Sequence, residues 1–205
     1  MQVNAGMMFV GFAPWIIFSV IAERAGADYV ALAAILAFVV ALALTVYQKM
    51  RSGWKVLDVA GLVTFGIIAV IGLVGDNAVD EDLVNFGRGG STFVLAAIMA
   101  ISAFTIPFTE QYARESVDKS LWDSPYFRAK NKRISLMWAE VIFAIAVSHI
   151  VAGILTSSQD LAGSHPANLV LNWVVPIALI VFAVKRTRAI ADERPADAGK
   201  PAAQQ

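Results

Sequence analysis

Two ionisable side chains, Glu140 and His149, lie well inside apolar stretches of this 205-residue sequence. Carboxyl and imidazole groups carry protons in many proteins, and a charge in a membrane interior costs several kcal/mol. The two residues are separated by about 13.5 Å along a helix and by roughly half a turn around it. They cannot contact each other within one helix, so any shared role requires a second helix or subunit.

The residues around this pair complete a candidate intramembrane polar site made of Glu140, Ser148, His149 and Asn172. On a helix, Glu140 shares a face with Ala144 and Ser148, and we expect this face to point toward the protein interior. Each ionisable group keeps two explanations. His149 is either functional or a neutral ring bonded to a carbonyl or to Asn172. Glu140 is either functional or bonded to a neighbour or reaching the membrane interface.

The residue types argue against a cofactor, a metal ion and an enzyme. The sequence contains no cysteine, which excludes disulfides and thiolate ligands. A haem held by two histidines would need a second one at membrane depth, whereas His165 lies in a loop. No cluster has zinc spacing, and the acidic run at 76–82 lacks the pattern of a calcium loop. No nucleophile and base lie at a workable spacing.

The elements that position these residues are long apolar helices. Hydrophobic residues make up 58% of the chain and charged residues 16%, and the mean hydropathy is +0.66. Such a composition is too apolar for a soluble domain, and roughly 20 apolar residues cross a bilayer as a helix. The sequence therefore predicts an all-α, polytopic membrane protein with six transmembrane helices, at residues 6–22, 29–48, 57–74, 91–108, 134–156 and 169–184.

Basic residues predict the orientation, because cytoplasmic loops carry an excess of Lys and Arg. They concentrate in the second loop, in the fourth loop and after the sixth span, whereas the loop at 75–90 is acidic and is expected outside the cell. Both termini are therefore expected in the cytoplasm, in a multi-pass protein of a bacterial inner membrane. Residues 1–190 form the predicted membrane domain with a cytoplasmic loop at 109–133, and residues 191–205 form a disordered cytoplasmic tail.

Small residues and prolines indicate how the spans pack. In the second span Ala33, Ala37 and Ala41 recur every four residues, which predicts a face that a neighbouring helix approaches closely. Pro14 and Pro176 lie in the first and last spans, and each is expected to loosen or kink its helix.

The loop at 109–133 is the most distinctive segment outside the spans. Opposite charges four residues apart, such as Glu110 and Arg114, predict a short interfacial helix that continues to Leu121. Ser124 and Pro125 have the residue types of a helix cap and first turn. The basic cluster of this loop either attracts anionic lipid or only sets topology; it comprises Arg128, Lys130, Lys132 and Arg133. The candidate docking residues of the loop are Tyr112, Arg114, Glu115, Trp122, Asp123 and Asn131.

Two groups of short motifs carry a resemblance to a known family. The first contains Val46-Tyr47-Gln48 and Leu57-Asp58-Val59-Ala60-Gly61-Leu62, and the second contains Tyr112-Ala113-Arg114-Glu115 and Trp122-Asp123-Ser124-Pro125. On these residues the chain resembles small bacterial membrane proteins of the intracellular septation protein A family. The resemblance implies a role in cell division or envelope maintenance, and it supplies no catalytic residues.

Two functions stay open. In the favoured one, the chain is not an enzyme and acts by contacting other envelope or division membrane proteins, through the loop at 109–133. The alternative is a small proton- or solute-coupled transporter or channel that uses Glu140 and His149. The scarcity of charged residues in the other predicted spans weakens this alternative. The expected partners are membrane lipids and membrane proteins, including a second copy of the chain, and not nucleic acids.

Overall fold

The structure is a computed structural model that describes residues 5–158 and 166–193. His165 and the part of the predicted tail after Glu193 lie outside these residues. Every regular element of the described chain is helical. The helices are α1 (Ala5–Val10), α2 (Ala13–Ala25), α3 (Val30–Arg51), α4 (Val56–Val74), α5 (Asn77–Ser102), α6 (Phe108–Ala113), α7 (Pro125–Ser158), α8 (Pro166–Leu169) and α9 (Val175–Asp192).

Among the described residues, five helical segments are long and apolar enough to cross a membrane. They are Ala27–Arg51, Val56–Val74, Asn77–Ser102, Pro125–Ser157 and Pro166–Asp192. The prediction of an all-helical membrane protein is confirmed in this form, and these segments contain the second, third, fifth and sixth predicted spans. The predicted end of the fourth span at Phe108 was wrong, because its helix ends at Ser102 and Phe108 begins the next helix. The first predicted span is divided between α1, which has 6 residues, and α2, which has 13.

Both prolines interrupt their helices, as predicted. Pro14 has no N–H and its ring would clash with the carbonyl four residues earlier, at Val10; α1 ends at that residue and α2 begins at Ala13. In the last segment a π-helix, Val170–Val174, precedes α9, and Pro176 lies in the first turn of α9.

Neighbouring long helices run antiparallel. In α3 and α4, Ala41 faces Gly61 and Ala31 faces Gly72. Helices α7 and α9 are also antiparallel. Near the start of α7, Lys130 donates to the Ala191 carbonyl at the end of α9, whereas Ser148, further along α7, donates to the Leu171 carbonyl near the start of the last segment. The chain connections therefore gather at two ends of the bundle. We call the end with residues 23–29 and 74–77 the cavity end, and the end with residues 51–56 and 103–125 the loop end.

The prediction of a loop at 75–90 was wrong, because most of this segment is helical. Helix α5 begins at Asn77, and Asp76 caps it by accepting a hydrogen bond from the Val79 N–H at 3.1 Å. Capping by an aspartate favours helix formation in the acidic segment that follows. The glycine-rich stretch at 86–91 lies inside this helix and does not begin it.

Those glycines have a packing role. A Cβ atom on Gly89 would lie 2.6 Å from Cγ1 of Ile150 in α7, and one on Gly153 would collide with the Asn85 carbonyl oxygen of α5. Because neither glycine has a side chain, the backbones of α5 and α7 come into close contact. Similarly, Gly87 faces the Phe18 ring of α2.

The loop end contains less helix than predicted. Helix α6 ends at Ala113, and only a short 3₁₀ turn, Lys119–Leu121, follows. The expected helix to Leu121 is interrupted because Glu115 forms an ion pair with Lys55 at 2.6 Å and Asp118 accepts a hydrogen bond from the Ser120 N–H at 2.8 Å. The predicted cap at Ser124 is confirmed, since its Oγ accepts from the Phe127 N–H at 3.2 Å.

The predicted small-residue face of α3 is confirmed, because Ala33, Ala37 and Ala41 are completely buried. We therefore expect Ala37→Leu to overpack the helix contact and to lower the free energy of unfolding in detergent by about 1 to 3 kcal/mol. Thermal unfolding would measure this change. Ala43→Leu is the matched control, because Ala43 is an exposed alanine of the same helix. Equal melting temperatures for the two variants would contradict the close contact.

Candidate functional site

An ion pair lies within the bundle near the cavity end. Arg88 of α5 donates from Nη2 to Glu23 Oε2 at 2.7 Å and to the Ser19 carbonyl at 2.6 Å. Trp173 Nε1 donates to the same Glu23 oxygen at 2.8 Å, and its ring lies 5.6 Å from the Arg88 guanidinium carbon. The side chain of Arg88 is 9% exposed and that of Glu23 is 25% exposed. Three helical segments are thus connected by one pair of opposite charges.

The predicted contact between His149 and Asn172 is confirmed. His149 Nδ1 and Asn172 Oδ1 are 2.8 Å apart, and the Asn172 amide nitrogen donates to Asn168 Oδ1. An amide oxygen only accepts hydrogen bonds, so Nδ1 carries a proton. In the neutral ring, Nε2 is then an acceptor. This arrangement agrees with the structural explanation of His149.

The two pairs line one polar cavity of about 90 Å³. Glu23 and Arg88 contribute from α2 and α5, His149 contributes from α7, and Asn168 and Asn172 contribute from the last segment. Metabolite sites usually exceed 300 Å³, so this cavity suits water, an ion or a group of a few atoms. Within the described part of the chain, Arg88 Nη1 is buried without a hydrogen-bond partner, so the contacts with Glu23 and Ser19 do not satisfy the whole guanidinium group.

The π-helix explains how Ser148 and Asn172 reach this region. The Val175 N–H bonds to the Val170 carbonyl, five residues earlier. With the same five-residue spacing, the Leu171 carbonyl would need the N–H of residue 176, but Pro176 has no N–H. The Leu171 oxygen is therefore available, and it accepts from Ser148 Oγ at 2.7 Å. Single π turns occur frequently at functional sites.

Glu140 does not belong to this site, and the prediction that it faces the interior was wrong. Glu140 and Ala144 are exposed, whereas Ser148 is buried. Each four-residue step rotates about 40° around a helix, so Glu140 and Ser148 point in directions about 80° apart. Glu140 lines two shallow outer grooves, one beside α5 and one beside α9.

The candidate docking residues separate into buried and accessible ones. Tyr112 and Asn131 are buried, and Asn131 Nδ2 donates to the Phe127 carbonyl at 2.9 Å. Arg114 is half-buried, forms an ion pair with Glu110 at 2.5 Å and lies 5.0 Å from the Trp122 ring centre.

The remaining docking candidates are accessible. Asp123 is exposed and pairs with Arg128 at 2.5 Å, whereas Trp122 is half-buried and donates to the Val117 carbonyl at 3.0 Å. Of the candidate docking residues, the accessible ones are therefore Arg114, Glu115, Trp122 and Asp123, on either side of the turn at 116–121.

A second polar cluster at the loop end was missed in the sequence. Lys55 is only 3% exposed. Its Nζ donates to the Gln111 carbonyl at 2.6 Å, pairs with Glu115 and lies 5.0 Å from the Tyr112 ring centre. Burial raises the pKa of the Tyr112 hydroxyl, which therefore stays protonated. Asp58 is also buried, and one of its oxygens has no hydrogen-bond partner among the described residues.

The missed residues left different signals in the sequence. Asp58 stands inside the third predicted span, so its position alone marked it as an intramembrane acid. Glu23 and Arg88 were assigned to loops, and the glycines beside Arg88 were the one sign that this segment packs closely. In residues 5–158 and 166–193, no three Asp, Glu or His side chains come together as a metal site.

Comparisons with known proteins identify no relative. No protein-family model matches the chain, and no curated protein or solved structure matches it. The geometry of the polar cavity therefore provides the main basis for a functional proposal.

The ion pair makes a testable contribution to stability. We expect Arg88→Gln to lower the free energy of unfolding in detergent by on the order of 2 kcal/mol, because Glu23 is left without its counter-charge in a largely buried site. The double variant Glu23→Gln/Arg88→Gln should lose less than the sum of the single losses. Arg24→Gln is the control, since Arg24 is exposed beside Glu23. Additive losses in the double variant would show that the pair is not coupled.

Proposed function

We propose that the chain is a bacterial inner-membrane protein with six spans and with both termini in the cytoplasm. Five long apolar segments support five of these spans. Helices α1 and α2 lie between residues 5 and 25 with a break at residues 11–12, and α2 packs against α3 and α5. The loop end carries most of the basic residues outside the bundle, as cytoplasmic surfaces do. In this orientation the cavity end faces the outside of the cell.

Reporter fusions test this topology. Reporters placed after Lys55, between Ser116 and Ser120, and after Arg188 should all give a cytoplasmic signal, because these positions lie at the basic end of the bundle. A reporter after Gly75 should give a periplasmic signal. A periplasmic signal at any of the first three positions would contradict six spans with cytoplasmic termini.

We further propose that the protein is a small transporter that couples protons to a small polar solute at the cavity end. The observation that carries this proposal is one small cavity lined by the Glu23–Arg88 ion pair and by His149 with Asn172. Ionisable groups inside membrane proteins are costly, and they commonly mark ion and substrate pathways. The sequence argument against a transporter was that few charged residues lie inside the predicted spans. That argument is weaker because Arg88 and Asp58 are both buried within the helical bundle.

The chemistry of the cavity suggests how protons and a solute could be coupled. Arg88 is neutralised by Glu23 while that carboxylate is ionised. A proton on Glu23 would weaken the pair and leave Nη2 of the guanidinium free to hold a small anion. His149 lines the same cavity and is held there by Asn172. The cavity volume limits the solute to a few non-hydrogen atoms.

A solute could cross only if the helices move. Trp15, Phe18 and Phe65 are buried, and the Phe65 ring contacts the Trp15 ring edge-on and the Phe18 ring at a tilt. Trp15 Nε1 donates to the Ser91 carbonyl at 3.1 Å. This aromatic layer separates the cavity from the loop end. The break between α1 and α2 and the π-helix before α9 are natural places for such movement, because regular hydrogen bonding is already interrupted there.

Proton flux into liposomes tests the proposal. With the purified protein reconstituted and a potassium diffusion potential applied, a pH-sensitive dye should report proton entry above that of empty liposomes. Glu23→Gln should reduce the protein-dependent flux by about tenfold or more, because the glutamine cannot take up a proton. Glu81→Gln is the matched control, since Glu81 is an exposed acid at the same end of the bundle.

A folded wild-type protein without flux above empty liposomes would overturn the proton-coupled proposal. The second candidate function, contact with division or envelope proteins, would then be favoured. It is supported by the resemblance to septation proteins and by the accessible turn beside Glu115 and Asp123, where Leu121 is 52% exposed. Under that function, Leu121→Ser/Asp123→Ala should alter cell length while Glu23→Gln does not.

A further inference from the structure

The structure divides the basic cluster at the start of α7 into engaged and available residues. Lys130 is buried and donates to the carbonyls of Ala191 and Glu193 at 2.9 and 2.8 Å. Arg128 pairs with Asp123, and Arg133 pairs with the Glu193 carboxylate at 2.7 Å. Most of this cluster is thus committed to contacts that hold the loop end together.

Lys132 and Arg186 have a different position. Both are exposed and line a groove of about 480 Å³ between α7 and α9. Within the described chain neither forms an ion pair, and the Lys132 Nζ lies 4.5 Å from the Phe104 ring centre. Arg133 and Glu140 also line the groove, and Leu136 and Met137 give it an apolar wall.

The charges and the wall of this groove fit one kind of occupant. Because Glu193 balances Arg133, the groove keeps two cations, Lys132 and Arg186, against the single carboxylate of Glu140. One positive charge remains, and the phosphodiester of a phospholipid carries one negative charge. Basic pockets between transmembrane helices bind phospholipid headgroups in this way. The aliphatic side chains beside the cations would contact an acyl chain.

We propose that the groove between α7 and α9 binds an anionic phospholipid, with Lys132 and Arg186 holding its phosphate and with Leu136 and Met137 contacting an acyl chain. The site is separate from the polar cavity, which lies at the other end of the bundle. It does not depend on the transport proposal, because it requires only that this surface faces lipid.

Thermal unfolding of the full chain in detergent tests the site. Added phosphatidylglycerol should raise the melting temperature by about 3 °C more than phosphatidylcholine does, because only the former has a net negative charge. Lys132→Gln/Arg186→Gln should lose this difference. Lys185→Gln/Arg188→Gln should keep it, since it removes the same charge from exposed residues of α9 that do not line the groove.

Four results would overturn the proposal. Equal shifts with the two lipids would show no preference for a negative headgroup, and equal losses in the two double variants would show only general attraction to the basic end. A shift of the same size with inorganic phosphate would assign the groove to a free anion. If Lys132→Gln/Arg186→Gln does not fold, native mass spectrometry of the wild-type protein should still show one phosphatidylglycerol retained in preference to phosphatidylcholine. Equal retention would contradict the site.

Discussion

The close contact between α5 and α7 determines where the polar side chains of this protein meet. Gly89 lies against Ile150, and Gly153 lies against the backbone at Asn85. With their backbones in contact, these helices place Arg88 and His149 on one cavity. A larger residue at either glycine would separate the helices, and it would also move the guanidinium away from Glu23. The packing of small residues and the electrostatics of the cavity are therefore one feature of the structure.

The bundle has polar groups at both ends and an apolar middle. At the loop end, Lys55 and Glu115 connect the start of α4 to the segment after α6. At the cavity end, Arg88 and Glu23 connect α5 to α2. Between them lies the aromatic layer around Phe65. In both pairs a buried cation, Lys55 or Arg88, has a carboxylate partner, as expected where the surroundings supply little water. Such pairs hold the helix ends in register and leave the apolar middle to pack by shape.

The last segment contributes differently from the other spans, because its polar contacts depend on an interrupted helix. A regular α-helix would place an N–H opposite every carbonyl, whereas the π register and Pro176 leave the Leu171 carbonyl to Ser148. Asn172 lies in the same irregular turn and bonds to His149. Backbone groups at membrane depth need partners inside the protein, so α7 must pack on this turn. The irregular turn needs the side chains of α7 as hydrogen-bond partners, and the polar site needs the turn to position Asn172.

The sequence by itself determined the features that depend on neighbours along the chain. The helical class, the apolar segments, the interruption at Pro14 and the cap at Ser124 follow from local hydropathy and backbone chemistry, and Asn172 was recognised as a partner for His149. Only the tertiary structure decided which charges are inside. Glu140 is exposed because residues four apart are rotated about 40° around a helix, so Glu140 and Ser148 do not share a face. Arg88 is buried because α2 supplies the Glu23 carboxylate and the Ser19 carbonyl as its partners. Burial of a charge depends on partners distant in sequence, and local patterns do not encode them.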